Sequence, residues 1–132
     1  MRKTFSKFWV ASKQPRKQRK YRYNAPSHIR HSMLSAHLQK GLRKELGRRS
    51  MALKKGDEVE IRRGEFRGRR GAVSAVDMKR LKILIEGIKR KKVSGQDIQV
   101  PIDPSNVVIV KVNLEDKKRK KIISRKTPET KQ

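Results

Sequence analysis

The sequence GDEVEIRRGEFRGRRGAVSAV, residues 56–76, determines the fold that we predict for this chain. Val59 and Ile61 alternate with acidic residues and a second apolar stretch covers 72–76, which predicts two β-strands joined by a tight loop. Glycine in such a loop permits a positive φ angle or the close approach of another backbone segment. The glycines that we expect to be structural are Gly56, Gly64, Gly68 and Gly71.

Three more short strands are predicted after this hairpin. Apolar residues alternate with others over 81–85 and 98–102, and 107–112 is an almost continuous apolar run. Five short strands within 51–112 predict a mainly β fold, a small five-stranded closed barrel, because closure removes exposed strand edges. Pro101 must then lie at an edge, a bulge or a strand end, because proline has no backbone N–H to donate.

The composition of the chain limits the classes of protein that it can be. Its 132 residues include 38 Lys and Arg but only 12 Asp and Glu, which gives a net charge of +26, and 33% of the residues are hydrophobic. A large core is therefore excluded, and the lack of Cys excludes disulfides, thiol catalysis and cysteine zinc sites. No stretch approaches the ~20 apolar residues of a membrane span, so we expect none, and we expect no secretory signal.

Positive charge is concentrated towards the ends of the chain. Residues 1–50 contain 15 basic residues and one acidic residue, whereas 51–110 contain 14 basic and 8 acidic residues. Like-charged arms cannot collapse on themselves, so we expect the two ends to be disordered alone and to become ordered on a polyanion. The regions that we predict are a basic extended arm over 1–24, a helical extension over 25–50, the barrel over 51–112, and a basic helix and tail over 113–132.

The N-terminal arm combines cations with aromatic residues. Rings stack on unpaired bases and guanidinium groups bind phosphates, so this mixture favours RNA as the ligand. Pro15 argues against one continuous helix, and Trp9 is consistent either with base stacking or with packing against protein. Because 1–20 lacks acidic residues, a transit peptide is an alternative. The candidate RNA-binding residues of the arm are Arg16, Lys17, Arg19, Lys20, Tyr21, Arg22 and Tyr23.

Residues 25–47 are predicted to be helical because leucines recur every four residues. The apolar stripe that they would form, which we interpret as ordinary packing, consists of Leu34, Leu38, Leu42 and Leu46. Asn24 or Ser27 is expected to cap the first turn. A second short helix is expected to start at Ser35 and to end at Gly47.

The C-terminal segment is predicted to contain one basic helix. Asn113 is the expected cap, and acidic residues precede the basic run 117–121, an order that matches the helix dipole. Ile122 and Ile123 are expected to hold one helical turn against the barrel, and 127–132 is expected to be disordered in isolation.

The loop of the predicted hairpin carries five arginines within nine residues. A tight loop presents their guanidinium groups as rigid donors that stay charged, which favours phosphate binding over the alternative of merely solvated charge. The candidate residues of the loop are Arg62, Arg63, Arg67, Arg69 and Arg70. A second basic run supplies the further candidates Lys89, Arg90, Lys91 and Lys92.

Several strings of the sequence resemble known proteins. Residues 56–76 resemble the KOW motif, which occurs in ribosomal proteins and in transcription elongation factors. The strings NAPSHIR (24–30), LRKEL (42–46) and PSNVVI (104–109) resemble the archaeal and eukaryotic branch of the ribosomal protein L twenty-four family, called L twenty-six in eukaryotes. The resemblance covers roughly residues 20–123.

This resemblance implies an SH3-like barrel with an N-terminal extension that binds large-subunit ribosomal RNA. It also implies a role early in subunit assembly, a position near the exit of the nascent-chain tunnel, neighbouring ribosomal proteins as partners, and a cytoplasmic location. It implies no cofactor, no small-molecule substrate and no catalytic residue. The contacts that it carries over lie in 62–70 and in 23–30, where the candidates are Tyr23, Asn24, Ser27, His28 and Arg30.

Catalysis and metal binding find little support in the sequence. No carboxylate or Cys accompanies the histidines, whereas a zinc site needs three or four ligands. His28 and His31 fit phosphate or base contacts, with a solvated helix face as the alternative. No convergent set of titratable groups indicates an enzyme. A KOW-type transcription elongation factor and a DNA-compacting protein are the alternative functions.

Overall fold

The computed structural model describes residues 5–6 and 11–125. Within them, the central strands are formed by segments in which apolar residues alternate with polar ones. In the strand Glu58–Ile61, the side chains of Val59 and Ile61 are buried, whereas their acidic neighbours are only partly buried. Successive side chains of a strand point to opposite faces, so this alternation places one face of the strand on the core.

The described residues form four α-helices, eight β-strands and one 3-10 helix. The helices are α1 (Pro15–Asn24), α2 (Ser27–Met33), α3 (Lys40–Leu46) and α4 (Lys117–Ser124). The strands are β1 (Ser35–Leu38), β2 (Ser50–Ala52), β3 (Glu58–Ile61), β4 (Arg70–Asp77), β5 (Lys82–Ile85), β6 (Lys89–Lys91), β7 (Asp97–Gln99) and β8 (Val107–Lys111). The 3-10 helix Pro104–Asn106 immediately precedes β8.

Six of the strands form one sheet in the order β2-β1-β8-β3-β4-β5. Strand β1 pairs with β8 in parallel, and the other neighbours in this sheet are antiparallel. Strands β6 and β7 form a separate two-stranded hairpin, and an isolated bridge joins Ile83 of β5 to Ile102. The core consists of Leu34, Ala36, Leu38, Met51, Leu53, Val59, Ile61, Val73, Ile83, Ile85, Ile88, Ile102, Val107 and Ile109.

The prediction of a mainly β domain is confirmed, but the predicted number of strands is wrong. The five predicted strands correspond to β3, β4, β5, β7 and β8, and the sequence reasoning missed β1, β2 and β6. Strand β6 is entirely basic and exposed, so it lacks apolar alternation. Continuous strand pairing does not close the larger sheet into a barrel, because its end strands are β2 and β5, and beyond β4 the strand β5 has only the isolated bridge between Ile83 and Ile102. Pro101 lies outside the strands, after the end of β7, as expected.

The helix predicted over 25–47 is interrupted by a strand. Residues Ser35–Leu38 are in β1, so the expectation that Ser35 starts a helix is wrong. The leucines of the predicted apolar stripe lie in different elements: Leu38 is buried in strand β1, whereas Leu42 packs on the core from α3. The expected end at Gly47 is confirmed, since this residue has φ +56° directly after α3.

The N-terminal arm is not extended over its second half, which corrects the prediction. Residues Pro15–Asn24 form α1, and Pro15 lies in its first turn. Proline is tolerated there because the first-turn N–H groups have no acceptor within the helix. None of the α1 residues is buried, so the helix adds charge to the surface and little to the core. The predicted role of Trp9 and the predicted disorder of 127–132 lie outside the described residues.

A buried ion pair fastens α4 to the sheet domain. Arg119 Nη1 and Nη2 lie 2.5 and 2.8 Å from the two carboxylate oxygens of Asp57, and both residues are buried. The same carboxylate accepts hydrogen bonds from the backbone N–H groups of Lys54 and Asn113, both at 2.9 Å. The carboxylate of Asp116 caps α4 by accepting from the N–H of Lys118, so the expected cap at Asn113 is wrong.

Candidate nucleic-acid interface

The arginine-rich loop is a tight turn between β3 and β4, and we call residues 62–70 the Arg loop. The N–H of Gly68 donates to Ile61 O at 2.8 Å, and the N–H of Ile61 donates to Arg69 O at 2.9 Å, which closes the loop at its base. Gly68 has φ +85°, a conformation that residues with a Cβ rarely adopt. The backbone therefore holds the arginine side chains on a short, defined turn.

The five guanidinium groups of the Arg loop differ in how they are held. Arg62 and Arg70 both pair with Glu60, at 3.2 and 2.8 Å, and the Arg69 guanidinium lies 5.3 Å from the centre of the Phe66 ring. All five side chains are exposed. The side chains of Arg63 and Arg67 form no ion pair with any residue that the structure describes, so they are the freest cations of the loop.

The β6–β7 hairpin carries the second predicted basic run and lies beside the Arg loop. An ion pair between Arg90 and Glu65 joins the two elements. At the base of the loop, Gly71 allows the segment between β5 and β6 to come close, because a Cβ there would lie 2.7 Å from Glu86 O. The Arg loop and the run 89–92 together form what we call the basic face. Its members, all exposed, are Arg62, Arg63, Arg67, Arg69, Arg70, Lys89, Arg90, Lys91 and Lys92.

The predicted contacts of the N-terminal segment lie mostly on α1. The side chains of Arg16, Lys17, Arg19, Lys20, Arg22 and Tyr23 are exposed, and Tyr23 retains 80% of its accessible surface. Tyr21 is half-buried and its ring lies 4.9 Å from that of Phe5, measured between centroids. Asn24, Ser27, His28 and His31 are also at least partly exposed, so they are accessible to a ligand. Neither Asn24 nor Ser27 caps α2, whose N-terminal cap residue is Pro26.

Arg30, one of the predicted RNA contacts, also makes several hydrogen bonds within the protein. Its guanidinium group donates to the backbone carbonyl oxygens of Tyr23, of Ala25 at 2.9 Å and of Lys79 at 3.3 Å. Three of its five N–H donors are therefore committed within the protein. Arg30 holds the end of α1 against the turn between β4 and β5, so it positions other cations.

Asp103, which immediately precedes the 3-10 helix, is a carboxylate with a structural role. It accepts hydrogen bonds from the Ser105 hydroxyl at 2.7 Å and from Lys82 Nζ at 3.0 Å. Partial burial raises the pKa of Asp103, but these hydrogen bonds outweigh that effect and lower the pKa to about 2. Asp103 is therefore ionised at neutral pH and neutralises Lys82.

The described residues give no support to metal binding or to a membrane-spanning helix. In residues 5–6 and 11–125, no three side chains of His, Cys, Asp or Glu come together as metal ligands would. No helix in those ranges has the length and apolar character needed to cross a bilayer. A cavity of about 590 Å³ beside α2 includes His31 and Asp116 in its lining, but Asp116 is engaged in an ion pair with Lys54.

Similarity to known proteins extends over most of the chain. The family model that describes the ribosomal proteins L26 of eukaryotes and the corresponding L24 proteins of archaea matches residues 12–126. The chain belongs to this family. The match to the L26/L24 family includes α1, the whole sheet, the Arg loop and α4, and it confirms the resemblance noted in the sequence.

Archaeal relatives agree with the L26/L24 assignment. The large ribosomal subunit protein uL24 of Methanosphaera stadtmanae is 47% identical over 115 residues, which cover 87% of this chain and 98% of that protein. The uL24 protein of Korarchaeum cryptofilum is 47% identical over 117 residues, or 89% of each chain. That of Methanocorpusculum labreanum is 47% identical over 107 residues, which cover 81% of this chain and 88% of that protein.

Sequence reasoning missed the buried pair of Asp57 and Arg119. No role is predicted from the sequence for Asp57, and Arg119 is predicted only as a member of the basic run 117–121. One signal was available: Arg119 is the single arginine among the lysines of 117–121, and the planar guanidinium suits a two-pronged buried contact better than an ammonium group does. The role of Arg30 gave no comparable signal, because it depends on a turn that lies 49 residues away.

Proposed function

We propose that this protein is a structural constituent of the large ribosomal subunit that binds large-subunit ribosomal RNA through its basic face. Membership of the L26/L24 family over residues 12–126 is the single observation that carries the proposal. The geometry supports the basic face as the contact, because an exposed ion pair links Arg90 to Glu65 and two basic elements therefore lie side by side. The proposed role is that of a binding protein, without catalysis or a cofactor.

We also propose that β3, β4, β5, β8 and the segment around Ile102 form an SH3-like barrel. The bridge between Ile83 and Ile102 supports this, since it brings the segment before the 3-10 helix back onto β5. Strand β8 then follows the 3-10 helix and pairs with β3. The two ends of this run of strands thereby approach each other without continuous pairing.

The proposed mechanism is electrostatic attachment to a folded RNA. The narrow major groove of A-form RNA resists side-chain reading, so recognition depends on phosphates, on shape and on unpaired bases. Arg63 and Arg67 supply guanidinium groups that are free to donate to phosphate oxygens. The rigid sheet domain fixes the basic face, and α1 extends the charged surface, so that separate RNA segments are held together.

The position of the protein in the ribosome is a further part of the proposal. Its resemblance to the L twenty-four family supports a role early in subunit assembly, a place near the exit of the nascent-chain tunnel and contacts with neighbouring ribosomal proteins. The corresponding location in the cell is the cytoplasmic ribosome. Family membership favours this function over a KOW-type transcription elongation factor and over a DNA-compacting protein.

A charge-removal variant of the Arg loop tests the proposed function. We expect the triple variant Arg63→Gln/Arg67→Gln/Arg69→Gln to weaken binding of the full chain to archaeal large-subunit ribosomal RNA transcribed in vitro. Each lost phosphate contact should reduce the slope of log K against log salt by ~0.7–0.9, so the slope should fall by about 2–3. The measurement is a fluorescence titration at several salt concentrations, with duplex DNA as competitor.

A matched control separates a specific interface from net charge. The triple variant Lys40→Gln/Lys44→Gln/Lys55→Gln removes the same charge from exposed positions outside the basic face. We expect it to bind ribosomal RNA more tightly than the Arg loop variant does. Equal losses in the two variants would remove the Arg loop from the interface, and equal affinity of the native chain for duplex DNA would favour a compacting protein.

A further inference from the structure

A small cleft lies between α1 and the turn that joins β4 to β5. Its volume is about 290 Å³, near the lower end of the ~300–1,000 Å³ range of ligand pockets. Five cations and one aromatic ring contribute to its lining, and Asp103 is the acidic residue among them. The side chains on which the inference depends are Arg19, Arg22, Tyr23, Lys79, Arg80 and Lys82. We call this site the α1 cleft.

One face of α1 forms a wall of the α1 cleft. Residues three and four apart are neighbours on a helix, so Arg19 lies beside both Arg22 and Tyr23. Tyr23 retains 80% of its accessible surface, which is unusual for a large ring that could have packed on the core. An exposed ring that lines the same cleft as two guanidinium groups offers a stacking surface near two phosphate donors.

The opposite wall is a turn whose shape is fixed by the rest of the fold. The Asp77 carboxylate accepts from the N–H groups of Lys79 and Arg80, at 2.9 and 3.0 Å. Leu81 follows with φ +55°, a strained conformation for a residue with a branched side chain. Arg30 donates to Lys79 O and to Tyr23 O, so a single side chain holds the two walls in register.

The cations of the α1 cleft are incompletely neutralised within the described residues. Asp103 neutralises Lys82 at 3.0 Å, and Arg80 only approaches Asp77 at 3.9 Å. The side chains of Arg19, Arg22 and Lys79 form no ion pair with any residue in 5–6 or 11–125. The cleft therefore has an excess of positive charge that an anion can neutralise.

We propose that the α1 cleft binds one unpaired nucleotide of RNA, with its base stacked on Tyr23 and its phosphate bound by Arg19, Arg22 and Lys79. This inference rests on the proposed RNA-binding function. It adds a site of a different kind, because the basic face is proposed to contact only phosphates, whereas the α1 cleft would also contact a base. A double helix is too large for the cleft, whereas a single extruded nucleotide fits it. An acidic peptide would pair with the cations, but it would not stack on the exposed ring of Tyr23.

Two RNA hairpins that differ by one nucleotide test this inference with the full chain. One hairpin is fully paired, and the other carries a single bulged 2-aminopurine, whose fluorescence is quenched by stacking. Base stacking on a ring contributes ~5- to 150-fold in affinity, so we expect the native chain to prefer the bulged hairpin by about 10-fold. Tyr23→Leu should abolish this preference and the quenching, whereas Tyr23→Phe should retain both.

Charge variants give a second, independent readout. Arg22→Gln should reduce binding of the bulged hairpin more than binding of the paired hairpin, whereas Arg67→Gln in the Arg loop should reduce both equally. Tyr23→Leu should leave the salt dependence unchanged, because stacking releases no counterions.

The outcomes separate the cleft from the proposed function. A native chain that binds both hairpins equally would overturn the cleft and leave RNA binding by the basic face intact. A native chain that binds neither hairpin nor ribosomal RNA would overturn both. Preference that persists in Tyr23→Leu, or crosslinking of position 23 to a neighbouring protein in the assembled subunit, would also overturn the cleft.

Discussion

Replacing Arg119 by methionine tests the buried ion pair that fastens α4. Asp57 is fully buried and accepts four hydrogen bonds, two of which come from Arg119. Methionine retains part of the side-chain volume but leaves the Asp57 carboxylate with only the N–H groups of Lys54 and Asn113. Removing one member of a buried pair costs about 3–5 kcal/mol, because the remaining charge stays desolvated.

This loss is large enough to measure in an equilibrium unfolding experiment. For a domain of this size one kcal/mol corresponds to roughly 4 °C, so we expect Arg119→Met to lower Tm by about 12–20 °C. Urea unfolding followed by far-ultraviolet circular dichroism gives the free energy of unfolding. The double variant Asp57→Asn/Arg119→Met should lose less than the sum of the two single losses, with a coupling of about 1–3 kcal/mol.

The matched control is Lys120→Met, one residue along the same helix. Lys120 is exposed, so this variant should change the free energy of unfolding by no more than about 0.5 kcal/mol. If Arg119→Met lost less than about 1 kcal/mol, or no more than the control, the ion pair would not anchor α4 and the reasoning would be refuted.

Three further predictions concern other parts of the molecule. Gly71→Ala should destabilise the domain by about 1–3 kcal/mol in urea unfolding, because its Cβ would lie 2.7 Å from Glu86 O; an unchanged midpoint would contradict the close approach. The lowered pKa of Asp103 means that its ionised form stabilises the fold above pH 3.8. About 1 kcal/mol, allowing for solvent screening, should be lost as the pH falls towards about 2, and Asp103→Asn should remove this pH dependence of unfolding. Deleting residues 1–22 should leave a folded domain, since α1 buries no side chain, but one that enters large-subunit particles poorly; normal incorporation would show that the arm is dispensable.

The sequence predicts those strands in which the alternation of apolar and polar residues follows the buried and exposed faces of the strand. Val59 and Ile61 alternate with acids because β3 has one buried face, and this periodicity is visible without a structure. The signal of strand β1 is ambiguous: Leu34, Ala36 and Leu38 alternate with polar residues as in a strand, but Leu34 and Leu38 are also spaced as in a helix. That choice depends on pairing with β8, a contact that no local pattern contains.

The sequence predicts which residues of the candidate site are charged. It does not predict which of these charged side chains have partners within the protein. Arg63 and Arg67 are exposed on a tight loop, as the density of arginines and glycines indicates. Arg30 and Arg119 carry the same side chain but are committed to acceptors inside the protein. Which guanidinium groups remain free depends on carbonyl and carboxylate groups that only the tertiary fold brings near, so composition overestimates the number of free cations.

The parallel pairing of β1 with β8 has a consequence for how the chain is made. His37 and Leu38 pair with Val108 and Ile109, roughly 70 residues later, so a growing polypeptide cannot complete its sheet until β8 has been synthesised. A fragment that lacks the residues before the KOW-like stretch would also leave the apolar β8 with a bare edge, which is a template for aggregation. Strand β1 can therefore pair with β8 only after the ribosome has translated β8.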